Sequence, residues 1–403
     1  MLRKVSASSP GGGIRQWWPW AATVLFLLWQ VDFQFAYGFA ADPIQKELGL
    51  TSNEASMVAA VYLVAYGLMQ IPAGLLIDRF GVAWILPLMG LAAAGSVLLF
   101  AYAQSFEGLM IARLLGGVFM AFVFPSAGKI ARIQLRPAQF ALAMAIADMC
   151  FGVGAILAGG LSNVFEEVAW RTLMGTQGFV GIALAAVLVV SLRGVRNRPV
   201  AKHQAPIPSI LDALQRRNVL FGIGLYVWGA GLTFGFGGYW NLKLQESCGC
   251  TAPQVSDLST GLFGGLALGM LLAGIFGGVP GRRRALLRSA SVGALVFLAT
   301  ILWVSPVASV TVLWLLMAGL GFCLGACSLS FAVAVSGLPV GQGGTVVALV
   351  NAAGCLSGAL FQELPIWLGW GKASVLGVSI VYLGVALFGV LVSWRLPRES
   401  ATA

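Results

Sequence analysis

Uncharged apolar runs of about 20 residues recur along the whole of this 403-residue chain. Each is long enough, as a helix, to cross a hydrocarbon layer about 30 Å thick. Backbone polar groups in lipid must be satisfied internally, which leaves helices and closed barrels as the only spanning structures. The runs are about twice as long as the roughly 10-residue alternating strands of a barrel, so they read as helices. Composition agrees. Only 9% of residues are charged and 59% are hydrophobic, whereas soluble domains carry about a quarter charged residues. The fold class expected is an all-α, multi-pass membrane protein.

About twelve spans are legible, at 18–40, 54–77, 84–104, 108–131, 139–161, 171–193, 218–240, 255–276, 285–305, 309–335, 344–364 and 374–394. The longest polar interruption, RGVRNRPVAKHQAPIPSILDALQRR, lies between the sixth and seventh. The expected organisation is a cytoplasmic tail at 1–17, a six-helix bundle at 18–193, a cytoplasmic loop at 194–217, a second six-helix bundle at 218–394 and a cytoplasmic tail at 395–403. The tail at 1–17 has no apolar core followed by a small-residue cleavage site, so it is not read as a signal peptide. Most of the 24 lysines and arginines fall in alternate loops. Basic residues collect on the cytoplasmic side, so the net charge of +10 is a topology signal rather than a nucleic-acid footprint. Both termini are expected in the cytoplasm, with the chain in a bacterial inner membrane.

The two halves repeat. A gapless shift of 200 residues carries Gln45, Gly49, Thr51, Ser56, Leu68, Ala73, Gly74 and Gly81 onto Gln245, Gly249, Thr251, Ser256, Leu268, Ala273, Gly274 and Gly281. Both copies begin a helix with a capping-box pattern, Thr51 with Glu54 and Thr251 with Gln254. Parallel repeats about an axis along the membrane normal are a transporter architecture.

The repeat ends on Gly74-Leu-Leu-Ile-Asp78-Arg79-Phe-Gly81 in the first half and on Gly274 to Arg283 in the second. Gly74, Asp78, Arg79 and Gly81 resemble the signature loop between helices 2 and 3 of the major facilitator superfamily. Arg113-Leu-Leu-Gly116-Gly117 resembles that family's motif in helix 4, and Trp170-Arg171 its pattern at the start of helix 6. The first copy of the loop has Val82 and Ala83 where the family has two basic residues; the second keeps Arg282 and Arg283 but lacks the acid. The resemblance covers residues 15–395 and implies a two-bundle transporter working by rocker-switch alternating access. It also implies that Asp78 is a one-sided latch of the inner gate. Expected partners for its carboxylate are Lys129, Arg132 and the positive N-terminus of helix 11 near Gly344.

Ionisable groups within the spans are costly and functional by default. Asp32 in helix 1, Arg113 in helix 4 and Asp148 in helix 5 stand out. Asp32 and Arg113 come to similar depth; the resemblance implies that helices 1, 4, 7 and 10 line a central cavity, so a pair facing it is expected, acting in substrate contact or proton coupling, with a static ion pair locking helix 1 to helix 4 as the alternative. Asp148 reads equally as a proton site or as a structural hydrogen-bonding group. Gln34 and Trp228 are the foremost expected cavity-lining residues, among Gln30 and Tyr37 in helix 1, Tyr62, Tyr66 and Gln70 in helix 2, Tyr226, Tyr239, Trp240 and Asn241 in helix 7 and Trp314, Ser328 and Ser330 in helix 10, while aromatic residues near helix ends, Trp240 included, read as interfacial anchors. Asn351 reads as structural. Cys248 and Cys250 in an outer loop read as ordinary half-buried residues rather than a disulfide or metal site.

No nucleophile–base pair, P-loop, dinucleotide fingerprint or metal-ligand spacing is present in the sequence, so neither an enzyme nor a cofactor or metal site is expected. The function expected is secondary active transport of a small polar or anionic metabolite, coupled to protons in symport. Expected partners are that solute, protons and the lipid bilayer, with no nucleic acid and the chain as a monomer. Two alternatives stay open: a proton-coupled drug or toxic-compound exporter, and a non-transporting membrane sensor. In the antiporters that export drugs, helix 5 carries a glycine-proline motif; here Ile156 stands where that proline belongs.

Overall fold

A computed structural model describes residues 16–164, 169–195, 208–279, 281–305, 307–338, 343–368 and 375–397. Most of the expected tails and of the central loop, with His203, lies outside them. Among the described residues the long elements are all helices. We number the twelve long ones α1 (Trp18–Leu48), α2 (Ser52–Phe80), α3 (Val82–Tyr102), α4 (Phe106–Gln134), α5 (Pro137–Val164) and α6 (Trp170–Leu192). The second set is α7 (Arg217–Ala230, continued by Gly231–Trp240 and Asn241–Ser247), α8 (Ala252–Gly277), α9 (Arg282–Val304), α10 (Val310–Ala334), α11 (Gly343–Trp367) and α12 (Val375–Trp394). A short helix, Pro208–Gln215, precedes α7.

Among the described residues, α2 to α12 each contain a stretch long and apolar enough to cross a membrane. Both α1 and α7 run past their expected ends, to Leu48 and Ser247. Their polar final turns leave the hydrocarbon but continue as helix, each stopped by a glycine with positive φ, Gly49 (65°) and Gly249 (90°). Only glycine enters that region without a Cβ clash.

The repeat read from the sequence is built into the packing. In the first set α1 packs on α5, α2 on α4 and α3 on α6; in the second α7 packs on α11, α8 on α10 and α9 on α12. Thr51 and Thr251 both form the expected capping box. Gly81 and Gly281 both turn the chain with φ near +90° and +80° (91° and 82°). Across the two sets, α2 lies on α11 and α5 on α8, each through the glycine of its repeat. A Cβ on Gly74 would sit 2.7 Å from Ala348 Cβ, and one on Gly274 would sit 2.6 Å from Ala145 Cβ. Small residues let helix backbones approach closely in lipid, where no hydrophobic force pushes helices together.

One asymmetry interrupts the repeat. In α7 the ten residues Gly231–Trp240 form a π-helical segment, whereas α1 is α-helical throughout. Such segments are rare and concentrate at functional sites.

Candidate functional site

The end of the molecule that carries Arg79, Arg136 and Arg282, hereafter the basic end, is closed by contacts between the two sets. Asp78 lies on the last turn of α2. Its Oδ1 is 3.0 Å from Lys129 Nζ of α4. Its Oδ2 accepts from the backbone N–H of Thr345 at 2.8 Å and from the Thr345 hydroxyl at 2.6 Å. Thr345 is in the first turn of α11, where unpaired N–H groups and the helix dipole favour an anion. Lys129 also donates to Ile77 O at 2.7 Å.

Arg132 does not join Asp78. Its guanidinium crosses to the other set and donates to Val335 O (3.0 Å) and Leu338 O (2.7 Å) just beyond α10. Arg79 is exposed and lies over Phe80. The second copy of the loop is different in kind. Gly278 stands where the repeat would put the acid, and a Cβ there would run into the backbone oxygen of Ala138 at the start of α5. The acid is missing where the backbones leave no room for a side chain.

Contacts between the sets continue from the basic end to mid-depth, where Phe151 of α5 meets Phe234 of α7 with ring centroids 6.3 Å apart. At that depth lies the second feature. Asp148 is buried (2% exposed) near the middle of α5 and its Oδ1 accepts from the Tyr226 hydroxyl of α7 at 2.7 Å. Its Oδ2 has no partner. The Tyr226 ring packs on Phe331 of α10 and on Gly354 of α11. One carboxylate therefore joins the first set of helices to three helices of the second.

The expected Asp32–Arg113 pair is not formed. Asp32 accepts from Gln177 Nε2 of α6 at 2.7 Å, a bond inside the first set. Arg113 is sealed in an aromatic cage, with its guanidinium carbon 4.5 Å from the Tyr62 ring centroid, 4.8 Å from Tyr37 and 5.4 Å from Phe33. Its Nε donates to Val58 O at 3.4 Å, and Nη1 has no partner. Sequence position gave depth correctly but not azimuth, and the two side chains leave their helices in different directions.

Trp228 also departs from expectation. Its indole is fully buried against Gly389 of α12, on the side of α7 away from the first set. Trp29 does the same in α1, packing on Gly181 of α6. Gln34 is half-buried with an unpaired Oε1. Cys248 and Cys250 are free and half-buried.

Beyond Thr345, sequence reasoning missed two residues of the centre. Asn351 of α11 is buried with both amide atoms unpaired. Tyr226 was read as lining, not as the partner of Asp148; no spacing rule links positions so far apart.

Among the described residues, twelve long helices in repeating sets, closed at one end and joined at mid-depth by a buried polar bridge, define a multi-pass, all-α membrane protein. A family model described as the Major Facilitator Superfamily matches residues 21–362, and the chain belongs to that family. Among curated relatives it is 29% identical to the uncharacterized transporter YybO of Bacillus subtilis over 189 residues, 46% of this chain and 42% of the relative. It is 24% identical to the quinolone resistance protein NorA of Staphylococcus aureus over 230 residues, 56% and 58% of the two chains. The chain thus spans about half the length of the curated relatives it matches. Among solved structures, the fold resembles the transporter FucP in its outward conformation (TM-score 0.75, 13% identity, 96% of this chain and 100% of that one). It also resembles the proton:xylose symporter XylE bound to 6-bromo-6-deoxy-D-glucose (TM-score 0.69, 13% identity, 94% of each chain).

Proposed function

We propose that this chain is a proton-coupled secondary transporter of a small polar or anionic metabolite, working by rocker-switch alternating access between its two sets of six helices. By the distribution of Lys and Arg, the basic end faces the cytoplasm of a bacterial inner membrane, and the state described is closed on that side. The observation that carries the reading is the Asp148–Tyr226 bond at mid-depth. An ionised Asp148 accepts from Tyr226 and ties the two sets together. A proton on Asp148 removes the charge that makes this bond strong and lowers the cost of separating the sets. Protonation and bundle separation then bias each other, which is what coupling requires. Asp32 is bonded within one set and is assigned a structural role.

Proton release into or uptake from the lumen of proteoliposomes, followed with an internal pH dye while candidate solutes are added outside, tests the reading. A solute-dependent pH change supports it; downhill solute flux with no proton movement removes the coupling. The likeness to NorA, a quinolone resistance protein, favours one competing reading, proton-coupled export of drug-like compounds. Dye efflux with no metabolite-dependent proton movement would select it.

A further inference from the structure

Arg113 is 2% exposed, and among the described residues no carboxylate lies within ion-pairing distance of it. A buried cation without a counter-charge is expensive in a protein and more so at membrane depth. Three ring faces offset part of that cost, but Nη1 remains without a hydrogen bond. Other buried groups near it are in the same condition. The Tyr62 ring that caps Arg113 stacks on Tyr66 at 6.1 Å, with 10° between the planes. The Tyr66 hydroxyl lies beside the amides of Gln30 and Asn351. That hydroxyl, both amide atoms of Gln30 and both of Asn351 lack a partner of good geometry. Gln30, Tyr66 and Asn351 are 0%, 2% and 1% exposed. Buried polar groups are normally satisfied; here Arg113 Nη1 has no partner, and Gln30, Tyr66 and Asn351 are within reach only of one another and of Tyr62, without good geometry, which marks a place where something else supplies the partners. These side chains come from α1, α2, α4 and α11, so the cluster straddles the α2–α11 contact that must open during alternating access.

Resting on the transport reading above, we infer that Arg113, Gln30, Tyr66 and Asn351 form the substrate subsite, and that the substrate is a small carboxylate carrying at least one further hydrogen-bonding group. The carboxylate supplies the missing counter-charge at Arg113 Nη1. The second group, a hydroxyl or amine, exchanges hydrogen bonds with Tyr66 and the two amides. Both amides donate and accept, which suits a hydroxyl. Because Asn351 alone comes from the second set, the substrate's far end bridges the two sets.

The test uses thermal unfolding of the purified full-length protein in nanodiscs. The probes are short-chain hydroxy-, amino- and aromatic carboxylates, each beside its uncharged primary amide. We expect stabilisation by a subset of the carboxylates, with the matching amides at least about tenfold weaker, a typical margin for a charged hydrogen-bonded contact. Arg113→Gln should erase the difference between acid and amide. If Arg113→Gln does not fold, Asn351→Asp serves instead, since a negative charge in the subsite should weaken the carboxylates more than the amides and so narrow the margin between them. Stabilisation by no carboxylate of the panel, or equal stabilisation by acids and amides in the wild type, overturns the assignment. So does an acid preference that survives Arg113→Gln or that Asn351→Asp leaves undiminished. The transport reading is scored separately in proteoliposomes. Proton-coupled flux of a neutral or cationic solute keeps that reading and overturns this one; carboxylate binding without flux keeps this one and overturns that.

Discussion

Replacing Asp78 by Asn removes one charge and almost no volume, and the geometry fixes what is lost. The carboxylate takes a contact from Lys129 at 3.0 Å and two from Thr345 at 2.8 and 2.6 Å. The amide keeps one oxygen, which can still accept from Thr345. Its nitrogen is a donor, and it faces either the ammonium of Lys129 or the donors of Thr345. Hydrogen bonds to charged groups contribute about 1.5–3 kcal/mol against about 0.5–1.5 for neutral ones. Lys129, 3% exposed at its side chain, is left with Ile77 O as its remaining protein acceptor. The ion pair lies within one set, so only the Thr345 bonds act across the gate; demoting both from charged to neutral should weaken closure of the basic end by about 2–3 kcal/mol, roughly a 30- to 150-fold shift in the open–closed ratio. Spin labels at the exposed positions 136 and 282, one in each set and in a background without the six native cysteines, would report that separation directly. The expected result is a longer, broader distance distribution in Asp78→Asn at neutral pH. A distribution unchanged from the parent, together with unchanged transport, would refute the latch.

Two further substitutions probe the same account. Gly278→Asp restores an acid to the second copy of the loop. Because a Cβ there meets the Ala138 backbone oxygen, it should not add a second latch but separate α8 from α5 and destabilise the closed state by about 1–3 kcal/mol, the usual range for overpacking; a stabilised closed state in the distance measurement would count against this. Tyr226→Phe deletes the hydroxyl bonded to Asp148 and leaves a buried carboxylate without its donor. It should alter the pH profile of transport, since among the described residues Tyr226 supplies the side-chain hydrogen bond to Asp148, and an unchanged pH profile would disconnect Tyr226 from coupling.

Much of the fold was legible because membrane helices are constrained in one dimension. Run length sets span, glycine and capping residues set ends, and a gapless shift exposes the repeat. The 200-residue register paired Gly81 with Gly281, which share a positive φ, and the capping-box pattern read at Thr251 is formed. The site was less legible, because contacts between helices depend on azimuth and tilt. Depth alone suggested Asp32 beside Arg113, yet one turns to Gln177 and the other into an aromatic cage. Near Asp78 the sequence supplied Lys129 and the start of α11, but could not show that Arg132 would cross instead to the end of α10. Trp228 was chosen for its depth, while its burial against Gly389 follows from a helix packing partner that only three dimensions reveal. The missing acid in the second loop was plain in the sequence; its cause, a close backbone approach at Gly278, was not.

The coupling claim rests on Asp148, and Asp148→Asn in proteoliposomes tests it most directly. Substrate accumulation driven by an imposed pH gradient and substrate exchange at equal pH on both sides are measured on one preparation. The asparagine can still hydrogen-bond Tyr226 but cannot ionise, so the account predicts that exchange persists while gradient-driven accumulation disappears. Accumulation that survives the substitution would contradict it.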